Sequence, residues 1–493
     1  MSTERRQITF AEYPPMRFDE NQYPLEFVEA QGVVKLRETS EVVVVAVVPT
    51  VDESVLTKLE DFHGRPVEVY EVEREEFRSL LSRELAGGDG NEGRGRADTT
   101  DAHAIDELAN DAPIVNLVNG ILLDGVRLGA SDIHIDTQRD GAVVRYRVDG
   151  VLQTGAPFEL GRFPAVSSRI KIMSQLNILE RRKPQDGRVT VHVADVSIDM
   201  RVSVVPTSTG ESIVLRLFNR ADRPLSLEEL GFTSEGVATL RRLSLMANGL
   251  VLVTGPTGSG KTTTLNAMIR ELDREHLKIV TIEDPVEYVI EGVDQIQTND
   301  EIGLSFHVLL RRVLRQDPDV IVVGEIRDTE TAELAVRAAL TGHLVFATLH
   351  TNDAASAVTR LVDMGVKPYL LSSVFRAAIA QRLVRRLCEE CRREVVAAPA
   401  SVALAREVGI ALEREWAAFG CSRCKETGYR GRLAIHEIIE GSREVEAIIA
   451  GGGGTREISD WARAKGIPSM LEVAVAKSVE GRTTMPEIER VVQ

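Results

Sequence analysis

Aromatic residues are scarce, at 4% of the 493 residues, and no long apolar run is present. The longest apolar stretch, between Glu41 and Pro49, is far shorter than the roughly 20 residues that a helix needs to cross a bilayer. The sequence therefore predicts no membrane-spanning segment. Residues 1–10 carry two arginines without a following apolar run, so no secretory signal is predicted and we expect a cytoplasmic location.

Positive charge is not in excess, because 59 lysine and arginine residues stand against 75 acidic residues, a formal net charge of −16. Such a total repels a phosphate backbone, and few aromatics are available to stack on bases. Both features oppose a nucleic-acid translocase, which stays an alternative of another class, and we expect no nucleic-acid partner.

The length exceeds what one hydrophobic core usually serves, so several domains are expected. Five glycines lie between Leu85 and Asp98 without periodicity, which predicts a flexible linker over 87–103. Before it, residues 1–86 form a predicted α/β module, with strands at 42–48 and 67–72 and helices at 53–62 and 73–84.

Two further regions follow the linker. Residues 104–222 combine a helical pattern at 113–128 with alternating strands, which predicts an α+β domain. From Leu225 onward the strands become short and apolar on both faces and alternate with helices, which is typical of a parallel sheet covered on both sides.

A phosphate-binding loop follows the strand predicted at 250–254 and precedes the helix predicted at 263–272. Its residues are Gly255, Pro256, Thr257, Gly258, Ser259, Gly260, Lys261 and Thr262. Glycines let backbone N–H groups face phosphates, the lysine adds positive charge, and the threonine hydroxyl ligates Mg²⁺. The sequence therefore predicts an ATP and Mg²⁺ site.

Other polar groups end the neighbouring strands. Glu325 follows the strand predicted at 320–323, and Glu283 follows the strand predicted at 278–282. Either carboxylate is a candidate to order Mg²⁺ or to polarise the attacking water, and the sequence does not decide between them. His343 and His350 bracket the strand at 344–348, and we expect both to sense the γ-phosphate.

All four cysteines form two CxxC pairs separated by 29 residues. The pairs are Cys388 with Cys391, and Cys421 with Cys424. Four thiolates close a tetrahedral shell around Zn²⁺ and leave no open position for a substrate. A redox CxxC is the alternative, but it would need only one pair, so we expect a structural zinc site.

These residues resemble the secretion ATPase superfamily of type II secretion, type IV pilus and archaeal motors. The resemblance rests on four linked motifs: the phosphate loop, the acidic box 281–288, the segment 324–328 and the histidine box 341–353. It extends back through segments 129–135, 145–150 and 184–188 and covers about 105–493.

The resemblance implies a fold class and a division of the chain. The fold is α/β and multidomain, with a RecA-like P-loop ATPase domain preceded by an α+β, PAS-like domain and a small N-terminal α/β module. The implied parts are the α+β domain at 104–222, the ATPase domain at 223–387, a zinc-binding insertion at 388–428 and a helical C-terminal domain at 429–493.

The resemblance also implies an assembly and a catalytic role for two arginines. A homo-hexamer is expected, with Arg201 and Arg216 reaching the γ-phosphate. The four-cysteine insertion favours assembly or secretion motors over retraction motors.

The N-terminal module resembles that of type II secretion ATPases in segments 23–27, 64–68 and 75–78. This implies docking on the cytoplasmic domain of an inner-membrane platform protein, contact with a polytopic platform protein and a peripheral place on the cytoplasmic face of the inner membrane. A type IV pilus assembly ATPase stays the alternative function, and a nucleotide-gated scaffold with little turnover is a third.

Overall fold

The computed structural model describes most of the chain. The described residues are 6–9, 23, 28, 31–39, 42–49, 51, 53–73, 76–77, 112–138, 141–193, 196–218 and 224–492. Two compact units are present, Met1–Thr99 and Thr100–Gln493. The predicted linker at 87–103, most of the predicted helix at 73–84 and residues 24–27 lie outside the described residues.

The first unit contains a four-stranded sheet in the order β1-β4-β3-β2. Its described elements are β1 (Arg6–Gln7), β2 (Val33–Glu38), β3 (Val43–Val47), α1 (Glu53–His63) and β4 (Val67–Glu71). The predicted strands and first helix are confirmed. Strand β2 was not predicted, because Lys35 interrupts its apolar pattern. Lys35 is nevertheless buried, and its Nζ pairs with Glu38 Oε2 at 2.6 Å.

The first part of the second unit is a six-stranded sheet in the order β7-β6-β5-β10-β9-β8. Its elements are α2 (Ala112–Leu128), β5 (Ala130–Gln138), β6 (Gly141–Val148), β7 (Val151–Thr154), α3 (Phe163–Met173), β8 (Gln185–Val193), β9 (Val196–Thr207) and β10 (Gly210–Phe218). Leu122 of α2 and Ile170 of α3 share a core with Ile133 and Ile213 of the sheet. The helices therefore cover one face, as an α+β domain requires.

A seven-stranded sheet in the order β13-β12-β14-β15-β11-β16-β19 forms the second part. Its strands are β11 (Gly249–Thr254), β12 (Ile279–Glu283), β13 (Asp294–Gln297), β14 (Val320–Val323), β15 (Leu344–Leu349), β16 (Phe375–Leu387) and β19 (Tyr429–Glu440). All neighbours pair in parallel except β16 and β19. The predicted parallel sheet and the predicted α/β fold class are confirmed.

Helices cover this sheet on both faces. They are α4 (Ser234–Ser244), α5 (Lys261–Arg270), α6 (Phe306–Val313), α7 (Thr329–Leu340), α8 (Ala354–Asp363), α9 (Pro368–Val374), α11 (Arg443–Ala450), α12 (Thr455–Ala464), α13 (Met470–Val479) and α14 (Met485–Val492). Neighbouring residues of one strand enter different cores, because Val251 packs in one apolar cluster and Leu252 in another. Among the described residues, no helix is both long and apolar enough to cross a bilayer.

The carboxyl-terminal region is not purely helical. Residues 429–440, predicted to open a helical domain, form β19 and pair antiparallel with β16. Their pattern hides the strand because Leu433, Ala434 and Ile435 are all buried, so the expected alternation is lost. The ATPase sheet is therefore interrupted in sequence by the cysteine-bearing insertion, which contains β17 (Arg393–Val396), α10 (Pro399–Glu407) and β18 (Arg414–Ala417).

Candidate active site and metal centre

The loop 255–260 joins β11 to α5 at the carboxyl edge of the sheet. Gly255, Gly258 and Gly260 have φ values of +147°, +78° and +87°, which favour glycine. Pro256, Thr257 and Gly258 form the exposed tip, whereas Ser259 is buried and its Oγ has no hydrogen-bond partner among the described residues. An exposed turn that curls back over a buried donor suits a bound anion.

Helix α5 begins at Lys261 without any side-chain cap, so its first N–H groups face the loop. The Lys261 Nζ donates to the carbonyl oxygens of Gly255 at 2.8 Å and Pro256 at 3.2 Å. Burial lowers the pKa of Lys261, and the Glu325 carboxylate raises it. Thr262 is half-buried in the first turn of the helix. These groups fit the phosphates of a nucleotide and its Mg²⁺ ion.

Gln381 supports this loop from strand β16, and the sequence did not point to it. Its Nε2 donates to the carbonyl oxygen of Ser259 at 2.7 Å. A Cβ at Gly255 would lie 2.3 Å from the Gln381 carbonyl oxygen. The residue stands inside a buried strand outside every recognised motif, so no sequence signal identifies it.

Glu325 follows β14 and carries two partners. Its Oε1 lies 3.1 Å from His350 Nε2, and its Oε2 accepts from Arg327 Nε at 2.8 Å. The side chain is partly buried. Two sequence-predicted residues, Glu325 and His350, are thus brought together near Lys261.

Glu283 is the more buried of the two candidate glutamates. Its Oε1 accepts from Thr281 Oγ1 at 2.6 Å and from Gln295 Nε2 at 2.9 Å. Its Oε2 is buried and has no hydrogen-bond partner among the described residues. Burying an oxygen of a carboxylate without a partner is costly, which marks this group as one held for a ligand or a water.

His343 does not join the site. It precedes β15, whereas His350 follows it, so the strand of about six residues separates them by roughly 20 Å. The His343 Nδ1 lies 2.8 Å from the carbonyl oxygen of Ala338, at the opposite edge of the sheet from the loop. The expectation that His343 senses the γ-phosphate is therefore wrong, because parallel strands present only one end to the ligand.

Arg201 and Arg216 are directly opposite each other on β9 and β10 and line one cleft of about 520 Å³. The Arg216 Nε donates to Asp132 Oδ1 at 2.9 Å, and the Arg201 guanidinium lies 5.8 Å from the centre of the Phe218 ring. Both groups are therefore present on one face of the α+β sheet.

Glu287, a residue of the acidic box 281–288, interacts electrostatically with Arg216. Glu287 is exposed to solvent, but partial desolvation by the surrounding protein raises its pKa, the Glu283 carboxylate raises it further and the Arg216 guanidinium lowers it. The α+β sheet thus places one arginine within electrostatic reach of the acidic residues beside the phosphate loop.

A cavity of about 720 Å³ adjoins helix α5. Its apolar lining includes Leu225, Leu230 and Leu383, and its polar lining includes Asn266 and Arg270. The Asn266 Nδ2 and the Arg270 Nε are buried without hydrogen-bond partners among the described residues. Apolar walls with a few unpaired polar groups are typical of a small-molecule site.

The four cysteines meet at the ends of two paired strands, since Cys388 follows β16 and Cys424 precedes β19. Their Sγ atoms all lie within 4.8 Å of one another, and none forms a disulfide. Adjacent Sγ atoms are 3.9, 3.8 and 3.7 Å apart. Thiolates bound tetrahedrally to Zn²⁺ at about 2.3 Å lie about 3.8 Å from each other, so this cluster fits a metal ion.

The family described as type II/IV secretion system protein matches residues 107–490. The chain belongs to this family. The match spans the six-stranded and seven-stranded sheets, the phosphate loop and the cysteine cluster of this secretion-family protein.

Individual relatives agree with this assignment. The chain is 39% identical to type II secretion system protein E of Aeromonas hydrophila over 95% of this chain and 96% of that protein. It is 40% identical to type II secretion system ATPase E of Vibrio cholerae over 87% and 85%. It is 42% identical to the type IV pilus assembly ATPase PilB of Myxococcus xanthus, over 78% of this chain and 69% of PilB.

Among solved structures, the pilus retraction motor PilT with bound ADP resembles the chain with a TM-score of 0.51 and 26% identity. The likeness covers 76% of this secretion-family protein and 96% of PilT. It supports the α/β fold class of this chain.

We predict that Gly255→Ala weakens the binding of Mg²⁺–ADP about tenfold or more, because a Cβ at this positive φ would meet the Gln381 carbonyl oxygen. Calorimetric titration of the purified full-length chain measures the effect. Gly303→Ala is the matched control, since its φ is +76° but a Cβ there would have nothing within 4 Å. Equal affinities of the two variants would contradict a nucleotide site at this loop.

Proposed function

We propose that this chain is an ATP-hydrolysing motor that powers type II protein secretion as a homo-hexamer. It acts at the cytoplasmic face of the inner membrane, where it drives assembly of a pseudopilus. The observation that carries this proposal is the convergence of Lys261, Glu325 and Glu283 at one sheet edge. It occurs in a chain that matches a type II secretion system protein E along 95% of its length.

ATP and Mg²⁺ bind at the loop 255–262. Backbone N–H groups and Lys261 hold the phosphates, and the Thr262 hydroxyl lies in the helical turn where Mg²⁺ is ligated in such loops. The base and ribose occupy the adjoining cavity, whose apolar walls include Leu225 and Leu383. Mg²⁺ supplies positive charge that neutralises the leaving and transferred phosphoryl oxygens.

Glu325 is the carboxylate at the γ-phosphate end, because it acts electrostatically on Lys261. His350 and Arg327 hold both of its oxygens, so its orientation is fixed before the nucleotide arrives. The Oε2 of Glu283 has no hydrogen-bond partner within the described part of the chain, and Glu283 remains the competing candidate for the base that takes the proton of the attacking water.

Arg201 and Arg216 stabilise negative charge as the γ-phosphoryl group is transferred. Charge supplied in this way is worth roughly 10³-fold or more in rate. Support for Arg216 comes from its electrostatic effect on Glu287 beside Glu283. A hexamer then ties hydrolysis to the relative position of the two sheets.

Zn²⁺ is the metal held by Cys388, Cys391, Cys421 and Cys424. The backbone N–H groups of Cys421 and Gly428 both donate to Cys424 Sγ at 3.1 Å, as expected for a thiolate. The site has four protein ligands and is structural. The metal site holds together the two ends of the insertion between β16 and β19.

The N-terminal unit docks on the cytoplasmic domain of an inner-membrane platform protein, and a polytopic platform protein is the second partner. The similarity to type II secretion system protein E includes this unit, because it covers 95% of the chain. The similarity to PilB covers 78% of the chain. Type IV pilus assembly therefore stays the second candidate function, and the full-length similarity favours type II secretion.

We expect Lys261→Ala to abolish ATP hydrolysis and Glu325→Gln to bind ATP while stopping turnover. The first change removes phosphate-binding charge and the second removes a carboxylate needed by Mg²⁺ or water. Steady-state phosphate release and ATP binding by filtration measure both effects, with Glu283→Gln in parallel to identify the base. Near-normal turnover in Lys261→Ala and Glu325→Gln would overturn the nucleotide-site assignment.

The zinc assignment predicts one zinc ion per chain, because the Cys₄ set closes its coordination shell. Elemental analysis of protein purified without chelators gives the ratio. Replacing Cys388 and Cys391 with serine removes the metal and lowers the midpoint of thermal unfolding. Metal-free wild-type protein with unchanged stability would refute a structural zinc.

Arg201→Ala and Arg216→Ala are each expected to lower kcat far more than ATP affinity, because their charge matters mostly in the transition state. If the arginines act across an assembled ring, wild-type activity per subunit rises with protein concentration and the variants stay flat. The measurement is the ATPase rate against concentration. Variants that keep the wild-type rate and its concentration dependence would remove the arginines from the site.

A further inference from the structure

A row of charged residues crosses five strands of the α+β sheet. Arg188 of β8 is directly opposite Arg201 of β9, and Arg201 is opposite Arg216 of β10. The row continues to Asp132 of β5 and Arg147 of β6. Cross-strand partners point to the same face, so five charged side chains stand side by side at spacings of about 4.8 Å.

Asp132, the carboxylate of this row, lies between Arg216 and Arg147. The Asp132 oxygens lie 2.9 Å from Arg216 Nε and 3.8 Å from Arg147 Nε. Arg188 and Arg201 have no carboxylate partner within the row. Like charges directly opposite on a sheet repel each other. The Arg188–Arg201 end of the row is therefore stable only if it is exposed to water or binds an anion.

Hydrogen bonds between Gln185 and the preceding loop restrain the backbone just before Arg188. The Gln185 Nε2 donates to the carbonyl oxygens of Asn177 at 3.0 Å and Glu180 at 2.9 Å, and its Oε1 accepts from Asn177 N at 2.8 Å. A Cβ at Gly187 would lie 3.0 Å from both the Ser174 carbonyl oxygen and Leu176 Cδ2. Arg188 therefore lies on a strand whose position is restrained by hydrogen bonds and close packing.

The cleft of about 520 Å³ is lined by Arg188, Arg201 and Arg216. Asp186 is the one carboxylate among its lining residues, and no ion pair joins it to Arg188 in the described part of the chain. At its Arg216 end, the row acts electrostatically on Glu287 of the acidic box. The cleft thus extends the cationic surface outward from the acidic box.

We infer that Arg188 is a third arginine of the phosphoryl-transfer site, which extends the Arg201–Arg216 pair and binds the terminal phosphate as it is transferred. The inference rests on the proposed ATPase function. It commits to a phosphate oxyanion as the ligand, because planar guanidinium groups in a row match several oxygens of one anion.

The test compares Arg188→Gln, Arg188→Lys and Arg182→Gln in the full-length chain. Arg182 is the matched control, since it belongs to the same segment, is 91% exposed and pairs with Glu180 outside the cleft. The measurements are kcat, the affinity for Mg²⁺–ADP alone, and the affinity for Mg²⁺–ADP with aluminium fluoride as the mimic of the transferred group.

We expect Arg188→Gln to lower kcat and the affinity for the aluminium fluoride complex about tenfold, with ADP affinity changed by less than about twofold. Arg188→Lys restores part of both losses, because it keeps the charge but not the two-pronged geometry. Arg182→Gln behaves as wild type. A purely structural role would instead lower ADP affinity and the midpoint of thermal unfolding together.

Wild-type kcat and wild-type affinity for the aluminium fluoride complex in Arg188→Gln would overturn the inference, as would a purely structural pattern. Lys261→Ala separates this failure from that of the proposed function. If Lys261→Ala is inactive while Arg188→Gln is unaffected, only the third arginine is lost. If Lys261→Ala still hydrolyses ATP, the ATPase assignment itself fails.

Discussion

The parallel pairing of β12, β14, β15 and β11 brings the phosphate loop, both candidate glutamates and His350 to one edge of the sheet. Parallel strands end at the same edge of a sheet, so the groups that follow them are brought together whatever their distance in sequence. The phosphate loop follows β11, Glu283 ends β12, Glu325 follows β14 and His350 follows β15. Because both faces of the sheet are buried, a one-residue slip of any strand would exchange the contents of its two cores, and the register is therefore strongly held.

The same rule explains what the sequence could and could not predict. Glu283, Glu325 and His350 were predictable, because apolar strands and the motifs at their ends are both local signals. His343 was misplaced because it sits at the wrong end of the same strand. Gln381 could not be found, since its role comes from a contact made across the sheet. Glu287 lies in the acidic box, but its electrostatic link to Arg216 could not be predicted, because Arg216 belongs to the α+β domain. Strand β19 was missed because a strand covered on both faces has lost its alternation.

The cysteine cluster stands where three parts of the second unit meet. It closes an insertion between β16 and β19, and β16 also carries Gln381, which supports the phosphate loop. Just beyond the cluster, Gly431 N donates to Asp149 Oδ2 of the α+β domain at 2.9 Å. Arg386 and Arg430 line both the space beside Cys388 and the cavity beside α5. A metal at this point would therefore stiffen the contact between the α+β sheet and the nucleotide pocket, as well as the insertion itself.

Three cations of the second unit donate hydrogen bonds to oxygen atoms of the protein that a phosphate could replace. Lys261 donates to carbonyl oxygens of its own loop, Arg327 donates to Glu325, and Arg216 donates to Asp132. Each cation thus has a protein oxygen as its acceptor, and a triphosphate would compete with that oxygen for the cation. Arg216 belongs to the α+β sheet, so if it serves the site as proposed, its passage from Asp132 to a phosphate would bring that sheet toward the phosphate loop. Under the proposed function, a transfer of Arg216 between Asp132 and a phosphate would therefore couple the nucleotide state to the distance between the α+β sheet and the phosphate loop.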